Sequence, residues 1–423
     1  MKPTLSFALA AMVLVAGLTG SILQAESRMW TSADGKFIQA ELVDVLNGEA
    51  VLKIPGQAAP SRVPFARLSA GDQEFVKQWV KPGAPPAKPA GPAKPAGPAK
   101  PAAGKEEADA EILTDATGFP IGLNSTVKRD NHGWPELVAL KDKPAFTVVS
   151  EDKTKSEFIY RSDHFEFIST EKLSGEIVRE FSRLFETTFE AVVALPLRLD
   201  PKLPNGFLKV RLYETKAAYF AAGGLEGSAG MYTSRTREVM VPLPFLGVKK
   251  IGDRWILEDG DGNTTLIHEV THQVMNDWLG RLPVWAVEGA AEYVTAGRYT
   301  KGRLTLRGHG KNMTEYRHLA NSGVETVPLE KLMKMDDQTW ANALRNDNAG
   351  INYYSAMLLF YYFCHQDGDG TGKGLIDYFA ARSKVRNDQD EAHREQFLVR
   401  GRDALTMQKD FRKGMASAGI RLQ

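Results

Sequence analysis

Cysteine is almost absent from the 423-residue sequence. The single thiol, Cys364, has no internal partner, so no disulfide can hold the fold, and packing or a bound metal must do so. Its neighbours Phe360, Tyr361 and Phe363 point to a buried apolar position rather than a nucleophile. An excess of charge of either sign is also missing, since 53 Lys and Arg face 52 Asp and Glu for a formal net charge of +1. Such a chain has no global field to draw in nucleic acid or an anionic membrane, and nucleic acid is excluded as a partner. Two stretches, Asp259-Gly-Asp261-Gly-Asn263 and Asp367-Gly-Asp369-Gly-Thr371-Gly372, start like calcium loops. Both lack the bidentate Glu at the twelfth position, where Val270 and Tyr378 stand instead, and both read as turns. The remaining composition, 43% hydrophobic and 25% charged, is ordinary for a globular chain long enough to form two or three cores.

Lys2 precedes an uncharged run from Leu5 to Leu23, and Ala25 offers a small residue for cleavage before Glu26. Residues 1–25 therefore read as a signal peptide, and the protein is expected to be exported: periplasmic, at the cell surface or secreted. A membrane enters only if that run stays uncleaved, since it is about long enough to span a bilayer. Residues 82–104 repeat Lys-Pro-Ala-Gly-Pro-Ala, a composition with little to bury and an extended backbone, so they form a linker between separate domains. Before it, residues 28–80 read as a small β domain closed by a helix. Ile38, Ala40 and Leu42 alternate with polar residues, Asn47-Gly48 marks a hairpin, and Ala50, Leu52 and Ile54 alternate again. Ser69 and Asp72 start the helix, whose apolar face holds Phe75 and Trp79. The segments Met29-Trp-Thr-Ser-Ala-Asp-Gly-Lys-Phe and Val63-Pro-Phe-Ala-Arg-Leu-Ser-Ala-Gly-Asp resemble the SLA-one homology domain. That resemblance implies an SH3-like barrel without chemistry of its own, a binding or tethering module for a peptide or surface ligand.

Residues 112–423 read as an α+β domain, a mixed sheet lobe followed by a helical lobe. A strand near His164-Phe-Glu-Phe-Ile leads into a long helix over Lys172–Ala194, and Leu208, Val210 and Leu212 alternate as a second strand. Val239-Met-Val-Pro-Leu follows, and Pro242 and Pro244 predict that this third strand lies at a sheet edge, because proline donates nothing to a ladder. From Asn263 onward the pattern is mostly helical.

The chemistry lies at the junction of the two lobes. His268-Glu-Val-Thr-His272 is an H-E-x-x-H sequence, and four-residue spacing on a helix brings two imidazoles to one ion. Leu266, Ile267, Val270, Val274 and Trp278 make one side of that helix apolar, while His268, Glu269, His272 and Asn276 lie on the other, expected to face a cleft. Asn263 can cap its start and Gly280 can end it. A third ligand comes from Pro283-Val-Trp-Ala-Val-Glu288-Gly-Ala-Ala-Glu292-Tyr, where Pro283 suits the first turn of a second helix and Glu288 its second turn. Gly289 and Ala290 allow the two helices to approach closely. Glu292, one turn further on, is the rival ligand or a partner of the site. His164 beside Asp163, and His309, His318, His365 and His393, stand at no ligand spacing and read as surface or core residues.

These residues resemble the gluzincin clan of zinc metallopeptidases, in which an H-E-x-x-H helix precedes a helix carrying the third ligand. Trp285-Ala-Val-Glu288-Gly-Ala-Ala-Glu292-Tyr293 is similar to the W-x-x-E-G-x-A-x-Y stretch of aminopeptidase N and its relatives, although fifteen residues, not eighteen, separate His272 from Glu288. The stretch from Tyr160 to Tyr362 also resembles a bacterial branch of the clan that opens with Tyr-x-Ser-x-His-Phe. The resemblance implies a zincin-like domain with Zn2+ on His268, His272 and Glu288, and Glu269 as general base. It further implies a tyrosine that stabilises the oxyanion, matched by Tyr353 in Asn352-Tyr-Tyr-Ser-Ala-Met. The expected activity is hydrolysis of a peptide or protein substrate. The alternatives are a zinc hydrolase of another amide, such as one in cell-wall peptide, and a non-catalytic tethering protein. No Gly-x-Met-Glu-Asn sequence for gripping a free N-terminus is present, which favours an endopeptidase.

Overall fold

The computed structural model describes residues 27–31, 37–46, 48–54, 60–68, 76, 107–109, 112–224, 228–252, 254–257, 263–306, 311–344, 349–385 and 390–422. The expected signal peptide, the linker, the first of the two Asp-Gly turns, His309 and all but Val76 of the helix expected at Ser69–Trp79 lie outside them. Internal contacts divide the chain into two units, one within residues 18–102 and the other within 103–423.

In the first unit β1 (Ser27–Thr31), β2 (Phe37–Leu46), β3 (Glu49–Lys53) and β4 (Ser61–Pro64) form an antiparallel sheet in chain order. Leu46 pairs with Glu49, and Gly48 ahead of β3 takes φ +80°, a left-handed conformation that glycine adopts without strain. The period-2 pattern turns Ala40, Leu42, Ala50 and Leu52 inward, where they form a small core with Leu68 and Val76.

The second unit is α+β. Its main sheet holds β10 (Thr147–Asp152), β11 (Glu157–Arg161), β12 (Phe165–Ser169), β14 (Leu208–Tyr213), β16 (Glu238–Pro242) and β15 (Met231–Thr233), in that spatial order. Here β12, β14 and β16 run parallel, and the β10–β11, β11–β12 and β16–β15 pairs are antiparallel. Smaller ladders surround it: β5 (Glu107–Asp109) with β13 (Lys202–Pro204), β6 (Ile112–Thr114) with β7 (Pro120–Gly122), and β17 (Val248–Ile251) with β18 (Arg254–Leu257). A fourth sheet joins β8 (Ser125–Arg129), β9 (Pro135–Leu140), β20 (Arg303–Thr305) and β19 (Arg298–Thr300).

The strand Glu238–Pro242 is therefore not the edge that its prolines predicted. β16 lies between β14 and β15, and the edge is β15. Pro242 pairs as the last residue of the strand and Pro244 falls in the following 3-10 turn, so neither interrupts the ladder.

Helix α1 (Gly175–Val193) crosses from β12 to β14, and α2 (Lys216–Ala221) follows β14. Ser174 caps α1 by accepting from the Ile177 N–H, and Ile177, Phe181, Leu184, Phe185 and Phe189 recur at helical spacing to bury one face. The helical lobe contains α3 (Asn263–Val274), α4 (Asn276–Leu279), α5 (Val284–Thr295), α6 (Lys311–Asn321), α7 (Leu329–Met333), α8 (Asp337–Leu344), α9 (Ala349–His365), α10 (Lys373–Arg382), α11 (Asp390–Arg394) and α12 (Ala404–Ser417). Pro283 is the N-cap of α5, and α5 packs against both α3 and α9. Gly289 serves the second contact rather than the first, since a Cβ there would stand 2.7 Å from the Ala356 carbonyl oxygen and 2.8 Å from Phe360 Cβ on α9. Cys364 on α9 is buried and forms no disulfide. The turn at Asp367 is held by Arg400 and Arg402, which pair with its carboxylate. Among the described residues, no helix is long and apolar enough to cross a membrane.

Candidate metal centre

Helix α3 is fastened before it presents any chemistry. Gln273 donates to the carbonyls of Lys209 on β14 at 2.7 Å and of Arg237, just before β16, at 3.0 Å. Trp278 on α4 donates through Nε1 to the Leu199 carbonyl at 2.6 Å. Leu266, Ile267, Val270 and Val274 are buried in the main core. The opposite side of the helix is enclosed as well: His268, Glu269 and His272 are at most 1% exposed, where the sequence pattern led us to expect a cleft-facing surface. The cover comes from α5, from Tyr353 on α9 and from the edge strand β15.

Within this enclosure His268 Nε2 and His272 Nε2 stand 2.9 Å apart, and each is 3.3 Å from Glu288 Oε2 on α5. The three side chains place ligand atoms within 4.8 Å of one another and are all buried, so they could hold a metal ion. Tetrahedral bonds of about 2.0–2.1 Å put neighbouring ligand atoms roughly 3.3 Å apart, which the two nitrogen–oxygen separations match. Polar satisfaction points the same way. Both carboxylate oxygens of Glu288 are buried without a hydrogen-bond partner among the described residues. Uncompensated burial of that kind is costly, and a cation at the centre of the triangle removes most of the cost.

The charges agree. Burial works against the imidazolium of His268, but Glu288 and Glu292 outweigh it and hold its pKa well above the ordinary value. Burial likewise opposes ionisation of Glu288, yet His272 and His268 more than offset it and bring the carboxyl to about 2. Three carboxylates around two imidazoles thus attract positive charge, as a proton or as a metal.

Glu269 supplies no atom to the triangle. Its Oε2 accepts from the backbone N–H of Tyr232 on β15 at 2.7 Å, and its Oε1 is buried without a hydrogen-bond partner among the described residues. Burial raises its pKa, against the pull of the two histidines. Tyr353 sets its ring edge-on to His268, centroids 6.0 Å apart, and against Trp340 at 5.3 Å. Burial first, and then Glu288, Glu269 and Glu292, push its hydroxyl well above the ordinary range, so it stays a hydrogen-bond donor. Its neighbour Tyr354 turns away to stack on Tyr316. Glu292 Oε1 lies 3.0 Å from His268 Nδ1, within ion-pair reach but off the line of an aligned hydrogen bond.

Comparison with family models, with curated proteins and with solved structures finds no match to this chain.

The structure thus brings His268, His272, Glu288, Glu269, Glu292 and Tyr353 together from α3, α5 and α9. Three further residues join them that sequence spacing does not reveal: Tyr232, Gln273 and Tyr316. Their partners lie 37, 64 and 24 residues away, and no periodicity encodes contacts at that range. The other histidines have different places. His164 pairs through Nδ1 with Glu186 at 2.6 Å and stacks on Phe189, His365 meets the Tyr293 hydroxyl at 3.0 Å, and His318 is exposed on α6.

Proposed function

We propose that the chain is an exported zinc peptidase of the gluzincin type. In this reading residues 112–423 are a zincin-like catalytic domain, residues 28–80 an SH3-like module of the SLA-one homology kind, and residues 1–25 its signal peptide. The observation that supports it is the meeting of three ligand atoms beside a carboxylate, Glu269, that contributes none of them. Two imidazoles and one carboxylate are a donor set suited to zinc with a position left open. Zinc held by His268, His272 and Glu288 supplies Lewis acidity, polarising a substrate carbonyl and lowering the pKa of a water to about 7.

The chain's own residues do the rest. The Tyr232 N–H engages one oxygen of Glu269 and leaves the other to take the proton of the attacking water. A buried carboxyl with a raised pKa can hold that proton and return it to the leaving amine. Tyr353 donates its hydroxyl hydrogen to the oxyanion as negative charge develops. β15, the outer strand beside Glu269, is the edge along which an extended peptide lies.

Digestion of a peptide library with and without chelator tests the reading. Cleavage should stop with chelator and return with zinc, whereas a zinc-loaded protein that cleaves no peptide bond would sink it.

A further inference from the structure

His268 faces a carboxylate on each side of its ring. Nε2 looks to Glu288, and Nδ1 lies 3.0 Å from Oε1 of Glu292. Glu292 has a long side chain, 13% exposed, and left to itself it would swing towards water. Its other oxygen is held from elsewhere: the Tyr316 hydroxyl on α6 donates to Glu292 Oε2 at 2.5 Å. Tyr316 is 2% exposed, and its ring stacks on Tyr354 of α9 with centroids 5.9 Å apart and planes 28° apart. Burial and the neighbouring Glu292 keep its hydroxyl protonated, so it remains a donor.

We propose that Tyr316 is a positioning residue for the metal centre: its hydroxyl fixes Glu292 in the rotamer that faces His268, so retention of the metal depends on α6 being seated against α5 and α9. This rests on the metal-site reading above. A carboxylate behind a ligating imidazole orients the ring and raises its basicity, and losing such a partner costs about 10- to 100-fold in metal affinity. Tyr316 acts one bond further out, through Glu292, and touches neither ligand nor substrate. Its aromatic stacking is independent of the hydroxyl, so Tyr316→Phe should leave the helices in place.

Zinc affinity of the full chain, measured by competition with a chromophoric chelator, tests this in wild type, Tyr316→Phe, Glu292→Ala, the double variant and Tyr354→Phe. Circular dichroism and melting of the metal-free proteins serve as folding controls. Tyr316→Phe should lose about tenfold or more, and the double variant no more than Glu292→Ala alone, because both changes disable one relay. Tyr354→Phe, which removes a buried hydroxyl without a hydrogen-bond partner among the described residues, should bind zinc as wild type does. Wild-type affinity in a folded Tyr316→Phe protein overturns the proposal, as do independent losses in the double variant or an equal loss in Tyr354→Phe. A wild-type chain that takes up no zinc overturns the metal-site reading itself, and this inference with it.

Discussion

Glu269, Glu288 and Glu292 are three carboxylates around the same two imidazoles, and their surroundings give them different work. Glu269→Gln removes a base and no ligand, so zinc content should stay near that of wild type while hydrolysis falls by about 10²- to 10⁴-fold. Metal analysis and kinetics on one preparation check both halves. Glu288→Ala should empty the site far more than Glu292→Ala, because only Glu288 has an oxygen 3.3 Å from both Nε2 atoms. The reverse ranking by metal analysis would transfer the ligand role to Glu292. Away from this centre, burial opposes protonation of His164, but Glu186 prevails and raises its pKa above the ordinary value. A raised folded-state pKa adds stability below the unfolded value, and that stability is lost as pH rises through the folded value. The stability gap between wild type and His164→Gln, both in chelator, should therefore narrow in denaturant titrations as pH rises past the ordinary histidine value and through the raised one. A constant gap would mean that stacking on Phe189, not charge, is what His164 contributes.

At the scale of elements, the site depends on α5 lying close to two other helices. Glycine at 289 permits the approach to α9, because the atoms a Cβ would meet there include a backbone carbonyl that cannot rotate aside. Gly289→Ala should cost about 1–3 kcal/mol in chemical denaturation. Gly280→Ala is the matched control. Its Cβ would meet nothing within 4 Å and its φ is −87°, so that change should be neutral or stabilise by roughly 0.4–1 kcal/mol. The prolines of β16 show how position within an element decides an outcome. Proline in mid-strand would have forced an edge, but at the last ladder position it costs the sheet nothing, and the strand lies inside.

For the whole molecule, the division into two units predicts separable behaviour. β5 at Glu107–Asp109 pairs with β13, so a truncated protein that keeps this strand and begins at residue 103 retains every described ladder of the larger unit. It should melt cooperatively and take up zinc as the full chain does, as calorimetry and metal analysis would show. The sequence alone determined the chemistry that repeats locally. Helical spacing at His268 and His272 and the alternation of Ala40, Leu42, Ala50 and Leu52 are short-range patterns set by backbone geometry. It did not determine which strand is the edge, which helix Gly289 meets, or that the polar side of α3 would be enclosed. Nor did it reveal that Tyr232 holds Glu269, or that Tyr316 reaches Glu292. Those features arise from contacts between residues dozens of positions apart, and only the packing of β15, α5, α6 and α9 around α3 brings them within bonding distance.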